Sequence, residues 1–324
     1  MKQYLRIWLL LFGMIFVLGW AIAPELTDGL GGHKPREPHE GVRDADTPLR
    51  ILHGGAVEEM DMAEYLAGVL RAEMPASFEE EALKAQAIAA RTYTLYRMEN
   101  GGAAAHPEAD ACDDIRCCKA DMSEETARGQ WGALAGHYEK KIRRAVEETD
   151  GEVILYDGAP VLAVFFSSAA GHTQNAGAVW QEDLPYLQSV SSPETEKLVP
   201  NYCSVTEFTR EEFCQRIRSA YPAVKFGSGA LLGDIRRGES GYVVSARVGD
   251  LTLRGNDIRM ALSLRSPCFT AEETDGAITF HVTGYGHGVG MSQYGANILA
   301  QEGKSCEEIL EHYYSGAVVT VRTE

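Results

Sequence analysis

From Asp61 to Gly102 the order of apolar and polar positions predicts two helices meeting at a proline. The first starts near Met62 under an Asp61 cap, and Pro75 stops it near Glu73, because proline disfavours the helical conformation of the residue before it and has no backbone donor. Ser77 followed by Glu80 fits a capping box, so the second helix should run from Phe78 to Glu99 and end at Asn100-Gly101-Gly102. Glu73 is left at the corner between them. Lys84, Ile88 and Arg91 fall at i, i+4 and i+7, which lines up the two cations on a stripe roughly 10 Å long at ~1.5 Å rise per residue. That stripe is expected to face Glu73. For an arbitrary helix the plainer alternative is a carboxylate at a helix end and a solvated charged face.

Elsewhere the pattern is a mixture. A strand is expected at Arg50 to Leu52, and a long amphipathic stretch from Trp131 to Thr149 precedes a strand pair, Val153 to Tyr156 and Val161 to Ser167, joined by the turn Asp157-Gly158. The C-terminal half reads as a helix near Arg210 to Tyr221, strands near Tyr242 to Arg247 and Leu251 to Leu253, and a helix from Asn256. A strand Ala277 to Thr283, two helices and a closing strand Ala317 to Val321 follow. With no regular βαβ repeat, the expected class is α+β rather than a doubly wound sheet.

The N-terminus stands apart. Ile7 to Ala23 is an uncharged apolar run behind Lys2 and Arg6, near the lower limit for a membrane-spanning helix. Ala21-Ile22-Ala23 resembles a signal-peptidase site, but the apolar core is longer than a signal sequence's ~7–15 residues, and Pro24 sits awkwardly at a cleavage junction. The expectation is therefore a retained anchor over residues 1–24, then a Gly-, Pro- and charge-rich tether over 25–49 and a folded ectodomain over 50–324. Basic residues ahead of the span place the ectodomain outside the cytoplasm. A net charge of −17 argues against a nucleic-acid or anionic-membrane surface.

Three further groups carry chemistry. His106, Cys112 and Cys118 are spaced six apart in a Gly/Ala/Asp-rich loop, with Cys117 adjacent, and suit a zinc site; disulfides or free thiols are the alternatives for an odd count of seven cysteines. Cys203, Cys214, Cys268 and Cys306 read as buried thiols. Ser167, Ser168, His172, Gln174 and Trp180 form a polar loop closed by an aromatic, a combination that suits sugars. A serine nucleophile with His172 as base lacks the G-x-S-x-G elbow. Gly284, Gly286, Gly288 and Gly290 alternate, yet neither G-x-G-x-x-G nor a Walker motif is present, so the loop reads as backbone approaching something closely and presenting His287, Ser292, Gln293 and Tyr294.

Val69 to Tyr93, which differs only by a one-residue offset before the glutamate from V-x-x-E-M-x-x-x-x-x-x-E-A-L-K-A-Q-A-x-A-A-R-T-Y, resembles the signature of the stage II sporulation protein D family. FFSSAAGHTQNAGAVW, GNDIRMALSLRSPCF and GYGHGVGMSQYGA resemble further family segments in the family's order, so the likeness covers about Arg50 to Arg322. The resemblance implies a membrane-anchored lytic transglycosylase of two lobes around a glycan cleft, with Glu73 as acid/base and Lys84 and Arg91 lining the site. It also implies a zinc ion on His106, Cys112 and Cys118 that supports or shapes the cleft. The implied partners are the stage II sporulation amidase (protein P) and membrane protein M, at the septal wall during engulfment. In such a reaction the muramic acid's own 6-hydroxyl attacks C1, so one glutamate serves first as acid and then as base, where hydrolysis takes two carboxylates. The carboxyl must begin protonated, which direct contact with two cations would oppose. Lys84 or Arg91 is therefore expected to grip substrate instead, through the lactyl carboxylate of peptide-stripped muramic acid. A non-catalytic glycan-binding scaffold that recruits the amidase is the alternative from another class.

Overall fold

In the computed structural model, which describes residues 41–101, 106–112, 119–180 and 182–323, an antiparallel pair, β1 (Pro48–His53) and β2 (Ala56–Asp61), leads straight into α1 (Met62–Glu73). The Asp61 carboxylate caps α1 by accepting from the Glu64 N–H at 2.8 Å. The helix ends at Glu73, as Pro75 requires, with Met74 already extended. The next helix, α2 (Glu80–Glu99), is the centre of the fold. Ala82, Ala85, Ala87, Ala89 and Ala90 are all buried, and side chains this small let neighbours close on every side of the helix. The expected capping box at Ser77 is not what starts it. Glu79 is the N-cap without a side-chain bond, and its N–H donates instead to Asn297 Oδ1 at 2.8 Å. A distant amide has replaced a local hydroxyl.

After β3 (Ala111–Cys112), parallel to β1, comes α3 (Glu124–Trp131), which the pattern did not mark, and the amphipathic stretch from Trp131 forms α4 (Ala135–Glu148). Gly132, at φ 54°, separates the two. The expected hairpin is β4 (Glu152–Tyr156) with β5 (Ala159–Pro160), closed by Asp157 and Gly158 at positive φ. Beyond it the chain leaves the pairing, and β6 (Phe165–Phe166) precedes the short α5 (Ala176–Trp180).

A second hydrophobic core then forms before the chain returns to the first. β7 (Cys203–Thr209) leads to α6 (Arg210–Ala220), β8 (Leu232–Arg237), β9 (Val243–Val248), β10 (Leu251–Arg254), α7 (Gly255–Leu262), β11 (Phe269–Glu273) and β12 (Ala277–Thr283). These make two three-stranded antiparallel sheets, ordered β10-β9-β8 and β11-β12-β7. Alternate residues of β12 point inward, where Phe280 meets Phe208, Phe213 and Phe269 at ring-centroid distances of 6.0, 6.2 and 5.3 Å. Cys203, expected to be buried, is exposed because it falls on the outer face of β7 with Val205 and Glu207, and Cys268 is half-buried; Cys214 and Cys306 are buried as expected.

The chain re-enters the first core through β13 (Met291–Ser292), parallel to β6, and finishes with α8 (Gln293–Gln301), α9 (Cys306–Tyr313) and β14 (Val318–Val321), which pairs with β4. The two cores belong to one compact unit of mixed helices and small sheets, in keeping with the α+β class. Tyr242, just before Val243 of the second, accepts from the Ala170 N–H at 3.0 Å, and Arg254 Nη1 donates to the Val179 carbonyl at 3.1 Å. Among the described residues no helix is long and apolar enough to cross a membrane; the Ile7 to Ala23 run and most of the tether lie outside them.

Candidate active site

Glu73 lines a cavity of about 350 Å³. The end of α1 supplies Arg71 to Glu73, Met74 to Ala76 continue the wall, and Met122, Gln130 and Trp131 face them. Ser167 after β6 and Gln293 and Tyr294 at the start of α8 close it. Thus four residues singled out from the sequence, Glu73, Ser167, Gln293 and Tyr294, come together although 221 positions separate the first from the last. The half-buried Glu73 carboxylate accepts one hydrogen bond, from the Ala120 N–H at 3.4 Å, and forms no ion pair among the described residues. Phe78 sets the Tyr294 ring edge-on at 5.0 Å, and Tyr138 does the same for Trp131 at 5.8 Å. One carboxyl between two aromatic walls and two amides can pass a proton to a sugar oxygen.

Lys84 and Arg91 are not part of it. Because α2 is enclosed all round, both cations are buried and held by acids of the surrounding elements. Arg91, 1% exposed, donates to both carboxylate oxygens of Asp44 at 2.7 and 2.6 Å and to the Glu152 carbonyl at 2.9 Å. Lys84 pairs with Glu148 at 2.6 Å and Glu81 at 2.9 Å. Burial alone would raise the Glu148 pKa, but hydrogen bonds from Lys84 and Arg144 outweigh it and bring it from 4.5 down to about 2. A carboxylate depressed on folding stabilises the protein above its unfolded pKa, and that stability is lost as pH falls through the folded one. Thermal melts between pH 4.5 and 2 should therefore show a decline that is shallower in Glu148→Gln; parallel profiles would contradict it.

The cation that does reach the cavity wall is Arg71, and its charge is engaged. Glu139, itself buried, takes its Nε and Nη2 at 3.0 and 2.7 Å. Arg71 lies two residues before Glu73, the one sequence clue to its place; Trp131 and Gln130 had only a neighbouring glycine to mark them.

The glycine-rich return loop does approach something closely, namely the protein itself. At Gly284 (φ 77°) a Cβ would sit 2.7 Å from the Ser168 carbonyl, and at Gly286 (φ 117°) 2.6 Å from Phe166 Cβ. Ser168 is thereby buried, its backbone bridged to Tyr285 at 3.0 and 2.8 Å. Gln174 is buried too and donates to the His287 carbonyl at 2.7 Å. Ser292 is fully buried as the α8 cap and donates to Glu194 Oε1. These three, expected to touch substrate, are held within the packing instead. His172 is exposed, bridged through its backbone to Ser191 and hydrogen-bonded to neither Ser167 nor Ser168. Trp180 and His287 pack against each other at 5.4 Å outside the cavity. Desolvation, then Lys119 and Arg259, push the His287 pKa down to about 3, and its Nδ1 accepts from the Val289 N–H at 3.1 Å, so the ring is neutral.

Of the expected zinc set, Cys112 is buried on β3 and His106 is half-buried before it, while Cys117 and Cys118 lie outside the described residues. A thiol on a strand six residues from an imidazole suits zinc's preference for sulfur and nitrogen donors. The described acid and thiol atoms that do cluster are on Glu81, Cys306 and Glu307 and include neither: the Cys306 thiol donates to Glu307, while Glu81 accepts from the Cys306 backbone N–H and pairs with Lys84.

Residues 53–156 match the model of a family described as "Stage II sporulation protein". The chain is 40% identical over 274 residues to the stage II sporulation protein D of Bacillus subtilis, covering 84% of this chain and 78% of that one. It is 37% identical over 288 residues to the stage II sporulation protein D of Bacillus amyloliquefaciens, covering 89% and 82%. A more distant relative, 26% identical over 79% of this chain and 40% of its own length, is the "Amidase enhancer" of Bacillus subtilis.

Proposed function

The chain belongs to the stage II sporulation protein D family and acts in sporulation, and from that footing we propose that it is a lytic transglycosylase of peptidoglycan. Its substrate is glycan already stripped of stem peptides, cut between N-acetylmuramic acid and N-acetylglucosamine. Glu73 protonates the glycosidic oxygen and then takes the proton of the muramic acid 6-hydroxyl as that oxygen closes the 1,6-anhydro ring. The observation that carries this reading is the Glu73 carboxyl lining a cavity with Trp131 and Tyr294, engaged by no cation among the described residues. A group that must both give and receive a proton is best left so.

The ectodomain works outside the cytoplasm behind a retained Ile7 to Ala23 anchor, on the mother-cell membrane facing the septal wall. His106, Cys112 and Cys118 would hold zinc, whose part is to fasten the segment leading to Ala120, the donor to Glu73. The stage II sporulation amidase (protein P) and membrane protein M are its partners. A scaffold that binds glycan and recruits an amidase is the second reading, favoured by the name of the "Amidase enhancer". Incubating the full chain in detergent with peptide-free glycan strands separates the two by product mass. Anhydro-ended fragments are expected; intact strands would leave the scaffold, and hydrated reducing ends would mean hydrolysis.

A further inference from the structure

In a chain with 47 acidic and 30 basic side chains, the buried cations beside the Glu73 corner, Arg71, Lys84 and Arg91, have each found a carboxylate. Arg259 on α7 and Arg265 just after it have not. Among the described residues the Arg259 guanidinium bonds to the Arg265 carbonyl at 3.1 Å, Asn256 Oδ1 at 3.3 Å and the Met260 sulfur at 3.5 Å, with no acid in ion-pair reach. Burial pushes its pKa down, only partly countered by Tyr285. Arg265 lies over the Tyr285 ring at 4.4 Å, and its buried Nε has no hydrogen-bond partner. Desolvating a guanidinium without a counter-charge is costly, and the cost is recovered when an anion arrives.

What surrounds these arginines says which anion. Tyr285 is 45% and Trp180 37% exposed, flat faces of the kind that cover the C–H side of a sugar ring. The neutral His287 ring lies 5.4 Å from Trp180 and 5.5 Å from Phe166, the residue before the cavity-lining Ser167. Lys119, which with Arg259 acts on His287, stands over the Phe165 ring at 3.8 Å, beside Ala120, whose N–H meets Glu73. Lys119 and Arg259 thus both lie near the His287 ring, which packs between Phe166, next to the cavity-lining Ser167, and the exposed Trp180. Cations set beside exposed aromatic faces suit a carboxylate carried on a sugar ring.

The geometry points to Arg259, supported by Lys119 and Arg265, as the reader of a lactyl carboxylate on every second sugar of the glycan. This rests on the glycan being the substrate, as proposed above. It takes over the role expected of Lys84 and Arg91, and an amide-linked peptide would remove the charge it reads.

The test uses the full chain and two peptide-free glycans, one with free lactyl carboxylates and one with them coupled to methylamine, measured by calorimetry and by release of anhydro ends. The wild type should favour the free acid on the order of tenfold, as a charge-assisted hydrogen bond gives. In Arg259→Gln the free-acid to amide ratio should collapse toward one, in Arg259→Lys it should be partly kept, and in Lys119→Gln it should be reduced. Should Arg259→Gln melt early, Arg265→Gln and Lys119→Gln decide the matter. Equal binding of both glycans by the wild type, or a ratio that survives all the charge-removing substitutions, overturns the inference. Arg259-dependent preference in binding with no anhydro ends would support it while sinking the catalytic reading, and turnover without preference would do the reverse.

Discussion

Glu73→Gln in the full chain is expected to lower the release of anhydro ends from stripped glycan by ~10²–10⁴-fold while leaving the fold and glycan affinity in place. The substitution keeps side-chain length and an oxygen that can still accept from the Ala120 N–H, and no described ion pair is broken by it. A melting temperature within about a degree of wild type is therefore expected, since a partly exposed group without a network contributes little to stability. What the amide cannot do is give up a proton to a glycosidic oxygen or take one from a hydroxyl. A variant retaining more than a tenth of wild-type turnover would locate the proton transfer elsewhere. A zinc-dependent hydrolase centred on His106 would give the opposite pair of results, with chelation abolishing turnover and Glu73→Gln sparing it.

How much of this site could be seen in the sequence depended on whether a local rule or a distant partner decided each position. Pro75 and Asp61 fixed both ends of α1 by backbone chemistry alone, so Glu73 was correctly placed at a corner. The helix after it followed its propensities. Its surroundings did not follow from periodicity, because an i, i+4, i+7 stripe implies a free face only when the helix has one. Alanines on all sides of α2 were the neglected signal that it has none. Once buried, Lys84 and Arg91 had to meet acids, and those came from Glu148 and from Asp44, 47 residues upstream, where no pattern links them. The polar loop likewise divided on burial: Ser167 faces the cavity while its neighbour Ser168 points into the packing against the glycine-rich return. The second core left no mark as an insertion, since no change in composition accompanies the chain's exit after Leu187 or its return before Val289.

The largest stability effect should come from Arg91→Met, which is expected to destabilise the fold by ~3–5 kcal/mol. Total stabilities of such domains are only ~5–15 kcal/mol, so the loss is a large share. The reason is what stays behind: Asp44, 4% exposed, would lose both of its guanidinium bonds, and the Glu152 carbonyl at the start of β4 would lose its donor. Asp44→Asn in the same chain should return part of the loss, because it removes the stranded charge, and a double-mutant cycle by denaturant unfolding measures the coupling. Lys84→Met should cost less, since Glu148 and Glu81 are partly open to water and Glu148 keeps Arg144. Whatever fraction of Arg91→Met remains folded should cleave stripped glycan at close to the wild-type rate per folded molecule. A variant that melts with the wild type yet loses turnover would put Arg91 back beside the substrate, against the buried pair that holds it 1% exposed between α2 and Asp44.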